Sequence, residues 1–182
     1  GFIVGFDSDG PDIFDRQIEF IRQAGIPNAM LGLLFALPGT PLHERMEREG
    51  RLDERRFEGG LSHAGGATNL RTVLPRRELL QGYRRILATI YEPRAYFARV
   101  LAGLLRTPKK PDWAGRVARM ARGALATRRP LELLRTLTTF VSHLPSAYRR
   151  AALRFGAKVV RQRPDLATQI FPLVAAGVHA YR

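Results

Sequence analysis

Apolar residues run without alternation through positions 1–6 and again from Met30 to Leu37. Continuous apolarity is what a strand buried on both faces shows, as in a parallel sheet. Between the runs, Ile13, Phe14, Ile18, Phe20 and Ile21 recur mainly at helical spacing, and Gly25 and Pro27 end the pattern. Asp9 or Asp12 can cap this helix, with Pro11 early in it. After the second run, Pro38-Gly39-Thr40-Pro41 predicts a tight turn and a helix start: Thr40 as cap, Pro41 at the first position, helix as far as Gly50. The first fifty residues thus read strand–helix–strand–helix. Two strands joined by a helix should be parallel, with a right-handed crossover. Such a unit leaves an apolar face and two unpaired edges. The expectation is that residues 1–50 end a larger α/β sheet or barrel, with several of Phe2, Ile3, Val4, Leu33, Leu34 and Phe35 left exposed beside an unpaired strand edge.

Residues 51–75 lack periodicity. Gly59-Gly60 and Gly65-Gly66 bracket His63, with Thr68 and Asn69 behind. Two readings stand for this loop, a connector between subdomains or a substrate-facing loop. From Arg76 onward the pattern is helical. Leu79, Leu80, Tyr83, Ile86, Leu87 and Ile90 form one amphipathic stripe, and Tyr96, Phe97, Val100, Leu101 and Leu104 a second after Pro93. A helix over about 112–127 and another from Pro130, with Leu133, Leu134, Leu137, Phe140 and Val141 inward, continue the series. The predicted organisation is therefore 1–50, α/β; 51–75, Gly-rich loop; 76–182, a basic helical domain.

Charge sharpens that division. Residues 1–75 hold 8 Lys and Arg against 11 Asp and Glu, whereas residues 76–182 hold 22 against 5. Across the 182 residues there is no cysteine. That excludes a disulfide scaffold, a Cys-ligated zinc, an iron–sulfur cluster held by this chain, and a Cys nucleophile. The 4 histidines show no metal-ligand spacing. The first residue is glycine within an apolar run, and the expectation is of a piece cut from something longer.

Gly1-Phe2-Ile3-Val4-Gly5-Phe6-Asp7 resembles the fifth-strand segment of radical S-adenosylmethionine (SAM) enzymes, Gly-x-Ile-x-Gly with an acid soon after. Ser8 stands where that acid is expected, with Asp7 and Asp9 flanking it. Leu37-Pro38-Gly39-Thr40-Pro41-Leu42-His43-Glu44 resembles the turn after their sixth strand. Leu79-Leu80-Gln81-Gly82-Tyr83 and Tyr91-Glu92-Pro93-Arg94-Ala95-Tyr96-Phe97 are similar to the helical domain that follows the barrel in cobalamin-binding radical SAM proteins. The resemblance covers roughly residues 1–105. It implies the terminal βαβα piece of a partial (β/α)6 barrel followed by an all-α domain. The parent protein would carry a cobalamin-binding domain and an N-terminal barrel with a three-cysteine loop holding a [4Fe–4S] cluster. It would act as a methyltransferase on an unactivated carbon. By the same resemblance, the SAM adenine would lie against Ile3, Gly5, Phe6, Asp7, Leu34, Phe35 and Leu37. This chain alone would be inactive.

The acidic run Asp7, Asp9, Asp12, Asp15 lacks the glycine and glutamate register of a calcium loop; a helix N-terminus explains it better. His43, at the strand end where α/β active sites collect, and His63 are the candidate substrate contacts. His143 and His179 lie late in helical segments and carry no assigned chemistry. Arg116, Arg119, Arg122, Arg128 and Arg129 offer an electrostatic surface for anionic membrane or nucleic acid. Apolar and Arg residues interleave on the same helices, which favours a membrane or lipid substrate over nucleic acid. The expected location is cytoplasmic, with membrane association. The alternative to an enzyme piece is a non-catalytic basic helical module.

Overall fold

The computed structural model describes residues 1–53, 68–108, 115 and 138–181. The expectations for His63, its glycine pairs, the 112–127 helix, Leu133, Leu134, Leu137 and Arg116 to Arg129 lie outside the described residues. Strands β1 (Phe2–Val4) and β2 (Leu31–Leu33) pair in parallel, in the register Phe2–Leu31, Ile3–Gly32, Val4–Leu33. Helix α1 (Ile13–Ala24) joins them, and α2 (Pro41–Arg48) follows. Then come α3 (Arg76–Ile90), α4 (Pro93–Arg106), α5 (Ser146–Gln162), a 3₁₀ segment at Pro164–Gln169, and α6 (Ile170–Tyr181). Among the described residues the protein is mostly helical with a small two-stranded sheet, in α/β-then-helical order.

The strands are shorter than the apolar runs. Gly5 adopts φ +108°, a left-handed value that takes the chain out of extended geometry. Pairing continues one step further, where the Leu34 N–H donates to the Val4 carbonyl at 2.8 Å.

The chain forms two compact units, Gly1–Gln23 with Ala29–Ile90 and Ala24–Asn28 with Tyr91–Arg182. Helix α3, read from sequence as part of the helical domain, belongs to the sheet's unit. Its apolar stripe explains this. Leu79, Tyr83, Ile86 and Ile90 are buried, and the Tyr83 hydroxyl donates to the Leu31 carbonyl at 3.4 Å. Gly82 leaves room on α3 for the Phe14 ring of α1; a Cβ there would overlap it. The expected uncovered sheet face is only partial. Val4, Leu33 and Leu34 are buried, Phe2 and Phe35 are half-buried, and Ile3 is exposed.

The second unit is organised around aromatic rings. Phe97 of α4 packs 5.1 Å from Tyr148 and 4.9 Å from Phe155, both on α5. Near the other end of α4, Arg163 donates to the carbonyls of Leu104 and Thr107 and pairs with Asp165 at 2.7 Å. These contacts make α4 and α5 run in the same direction. The hydroxyls of Tyr96 and Tyr148 donate to the Leu173 and Val174 carbonyls of α6, at 2.7 and 3.0 Å. Burial raises the pKa of both phenols, that of Tyr96 to about 12. No helix among the described residues is long and apolar enough to cross a membrane.

Candidate functional site

The C-terminal ends of parallel strands are where α/β folds gather binding loops, because the chain splays there into turns. Here those loops are Gly5–Asp9 after β1 and Ala36–Thr40 after β2. In the first, Asp9 folds back on its own loop. One carboxylate oxygen accepts from the N–H groups of Gly5 at 2.7 Å and Phe6 at 2.9 Å. Asp9 therefore does not cap α1, which begins at Ile13 with its N–H bonded to the Gly10 carbonyl. Two backbone donors at the strand end are satisfied by a carboxylate supplied by the same turn.

Asp7 is drawn to α2 and the segment after it. Arg51 grips its carboxylate with both terminal nitrogens, at 2.6 and 3.1 Å, and Arg45 adds a third contact at 3.0 Å. Glu49 accepts from Arg51 at 3.0 Å. Hydrogen bonding to Arg51, reinforced by its charge and that of Arg45, lowers the Asp7 pKa against a smaller desolvation effect. Arg51 also donates from Nε to the Arg71 carbonyl at 2.9 Å.

The second loop is held by side chains from 68–70. Asn69, 2% exposed, pairs with Ala36 as a neighbouring strand would: its Oδ1 accepts from the Ala36 N–H and its Nδ2 donates to the Ala36 carbonyl, each at 2.9 Å. Thr68 donates to the Leu34 carbonyl at 2.6 Å. Beneath them Leu34, Ala36, Met46 and Leu70 form a small core, with Leu42 and Leu52 at its margin. The turn ends as the sequence predicts. Thr40 Oγ1 accepts from the His43 N–H at 3.3 Å, Pro41 opens α2, and Gly39 takes φ +76°.

Of the sequence candidates, Ile3, Phe6 and Leu37 are open to solvent at 47%, 42% and 42%. Leu34 is buried in the small core and Phe35 half-buried. The side Gly5 leaves free is occupied by Leu79, Thr72 and Leu34, at 3.5 to 3.6 Å from where a Cβ would stand. His43 is half-buried in the first turn of α2. His143 is exposed, with its ring Nδ1 2.7 Å from the Thr139 carbonyl. Sequence reasoning missed Arg45, Arg51 and the clamp role of Thr68 and Asn69. The available signal was the polar pair Thr68-Asn69 directly before an apolar Leu70.

β1 has a free edge. Phe2 and Val4 direct their backbone groups to β2, so those of Ile3 point the other way. There the Ile3 carbonyl accepts from Gln17 Nε2 at 3.0 Å, while Gln17 Oε1 is buried without a partner among the described residues. Among the described residues, β1 pairs with β2 alone. No three His, Cys, Asp or Glu side chains among the described residues converge as a metal ion would require.

A parallel strand–helix–strand unit with built loops at its strand ends, followed by helices, defines the class as a small α/β unit followed by a helical region. The model of a family described as a domain of unknown function, DUF4070, matches residues 40–182, and the chain belongs to that family. The chain is also similar to the hopanoid C-2 methylase of Rhodopseudomonas palustris (strain TIE-1), 35% identical over 101 residues. That alignment covers 54% of this chain and 17% of the relative. An uncharacterized methyltransferase of Synechocystis is 34% identical over 103 residues, covering 54% of this chain and 18% of the relative. The matched stretch is thus less than a fifth of either relative. No solved structure matches.

Proposed function

We propose that this chain is the C-terminal part of a cobalamin-dependent radical SAM methyltransferase, contributing one wall of the SAM site and a helical accessory domain. The observation that carries the reading is the parallel β1–β2 pair, whose loop ends expose Phe6 and Leu37 on a braced backbone. Relatives named as methyl-transferring enzymes support it.

The residues present suit an uncharged heterocycle. Ile3, Phe6 and Leu37 offer apolar surface, and the adjoining backbone donors of Gly5, Phe6 and Ala36 are already engaged by Asp9 and Asn69. An adenine held here would be retained by apolar contact and by the shape of the loops. Asp7 acts through loop order, since two arginines occupy its carboxylate. His43 stands close enough along the chain to meet substrate from the start of α2. SAM supplies the methyl group and the radical chemistry when bound with the cluster. The cluster itself does not fit this chain: there is no cysteine in 182 residues. Its ligands, and the cobalamin site, belong to the partner barrel and cobalamin-binding domain of the parent protein. The free edge of β1 and the unpartnered oxygen of Gln17 suit the next barrel strand.

The test is anaerobic, reduced turnover with SAM carrying a deuterated methyl group. The chain is assayed alone and within the longer protein that carries the three-cysteine loop. The longer protein is expected to form 5′-deoxyadenosine and a deuteromethylated product, and Phe6→Ser and Leu37→Ser to raise its KM for SAM. The chain alone should form neither. Formation of 5′-deoxyadenosine by the isolated chain, or unaltered SAM affinity in both variants, would overturn the reading.

A further inference from the structure

Helices α4 and α5 leave between them a groove of about 260 Å³, lying within the second unit. Its floor is apolar, formed by Phe97 and Leu101 of α4 and Ala151 and Phe155 of α5. Its rim is basic: Arg94 on one side, and Arg150, Arg154 and Lys158 in one row on the other. The row follows from a four-residue spacing, which returns side chains to one face of a helix. All four bases are exposed, and among the described residues none is ion-paired. Among the described residues the one acid at the groove, Glu92, turns its carboxylate to cap α4, accepting from the Ala95 N–H at 2.7 Å. Beside the basic row, α5 also presents Leu153 and Val160, 58% and 54% exposed.

We propose that this groove binds the head group of an anionic phospholipid at a bilayer surface, with Leu153 and Val160 entering the acyl boundary. A phosphate meets three or four exposed cations, and the apolar floor admits the glycerol and first methylenes. The exposed apolar pair decides between partners. A nucleic-acid backbone gives Leu153 and Val160 nothing to touch, whereas an interfacial helix requires such residues beside its bases. Bases at a membrane surface act additively, each worth about fivefold in partitioning, so losing three should cost roughly 100-fold.

The experiment uses the whole chain with phosphatidylcholine vesicles, without and with phosphatidylglycerol, read by co-sedimentation. Arg150→Gln/Arg154→Gln/Lys158→Gln is compared with Arg48→Gln/Arg77→Gln/Arg84→Gln, which removes the same charge from the first unit. The groove variant is expected to lose roughly 100-fold in partitioning to anionic vesicles, and the control less than about threefold. Leu153→Asn/Val160→Asn, which alters no charge and no buried side chain, should weaken binding most at raised salt, where apolar contact remains. Circular dichroism confirms that each variant is folded. Equal losses in groove and control variants would reduce the effect to net charge and overturn the proposal. So would displacement from vesicles by millimolar glycerol phosphate, which would assign the groove to a soluble phosphate. Groove-dependent binding of an RNA oligonucleotide in place of vesicles would overturn it as well.

Discussion

Replacing Asn69 by alanine removes both hydrogen bonds that hold the chain after β2. The Ala36 N–H and carbonyl would remain buried, since Ala36 is fully covered and Leu34 and Leu70 pack around it. A buried backbone group left without a partner costs about 1–3 kcal/mol, so two such groups set a loss of about 2–6 kcal/mol. Water entering the space left by the amide would bring the figure toward the lower end, about 3 kcal/mol. For a chain of this size that corresponds to a fall in Tm of about 6–12 °C. The local readout is amide exchange. The Ala36 N–H should exchange far faster in Asn69→Ala, while amides of α5 keep their protection. Asn69→Asp should be as damaging, because the second carboxylate oxygen would face the Ala36 carbonyl where an N–H now donates. A Tm within 1 °C of the parent, with Ala36 still protected, would refute the view that a single side chain substitutes for a neighbouring strand.

Other consequences follow from the same geometry. Gly82→Ala should cost about 1–3 kcal/mol in urea unfolding, because its Cβ overlaps the Phe14 ring, and Phe14→Leu in the same chain should recover part of the loss. Thr40→Ala should lower stability by about 1 kcal/mol through loss of the α2 cap, whereas Thr40→Ser should be nearly neutral. The folded-state pKa of Asp7 lies below its unfolded value, so its contribution is present above about pH 4 and is lost as pH falls through the folded value. Urea midpoints of the parent and Asp7→Asn should therefore differ at pH 7 and converge in acid; a constant difference down to pH 2 would contradict the pairing with Arg51. The folded-state pKa of Tyr96 is raised to about 12, so stability should fall as pH rises from about 10 toward that value. Tyr96→Phe should flatten that limb, followed by tyrosinate absorbance.

The elements of the first fifty residues were legible because each rests on a local rule. Continuous apolar runs marked β1 and β2, helical spacing marked α1, and Thr40 with Pro41 marked the start of α2. The stripes of α3 and α4 were legible for the same reason. What a stripe packs against is not a local property. Only the tertiary structure assigned α3 to the sheet, because Leu79 and Tyr83 are equally suited to any apolar partner until Gly82 admits Phe14. The acids show the same limit. Asp9 had the sequence position of a helix cap, yet in the fold the free N–H groups of Gly5 and Phe6 lie nearer its carboxylate. Arg51 and Asp7 stand 44 residues apart, and Asn69 and Ala36 stand 33 apart. Composition does not reveal such pairs, because a polar side chain at the end of a loop reads as solvated until folding removes water from around it. Sequence by itself determined β1, β2 and α1 to α4 and that no thiolate could be supplied. The tertiary structure decided which polar groups would satisfy the backbone at the strand ends, since a buried N–H or carbonyl takes whatever partner the packing brings within reach.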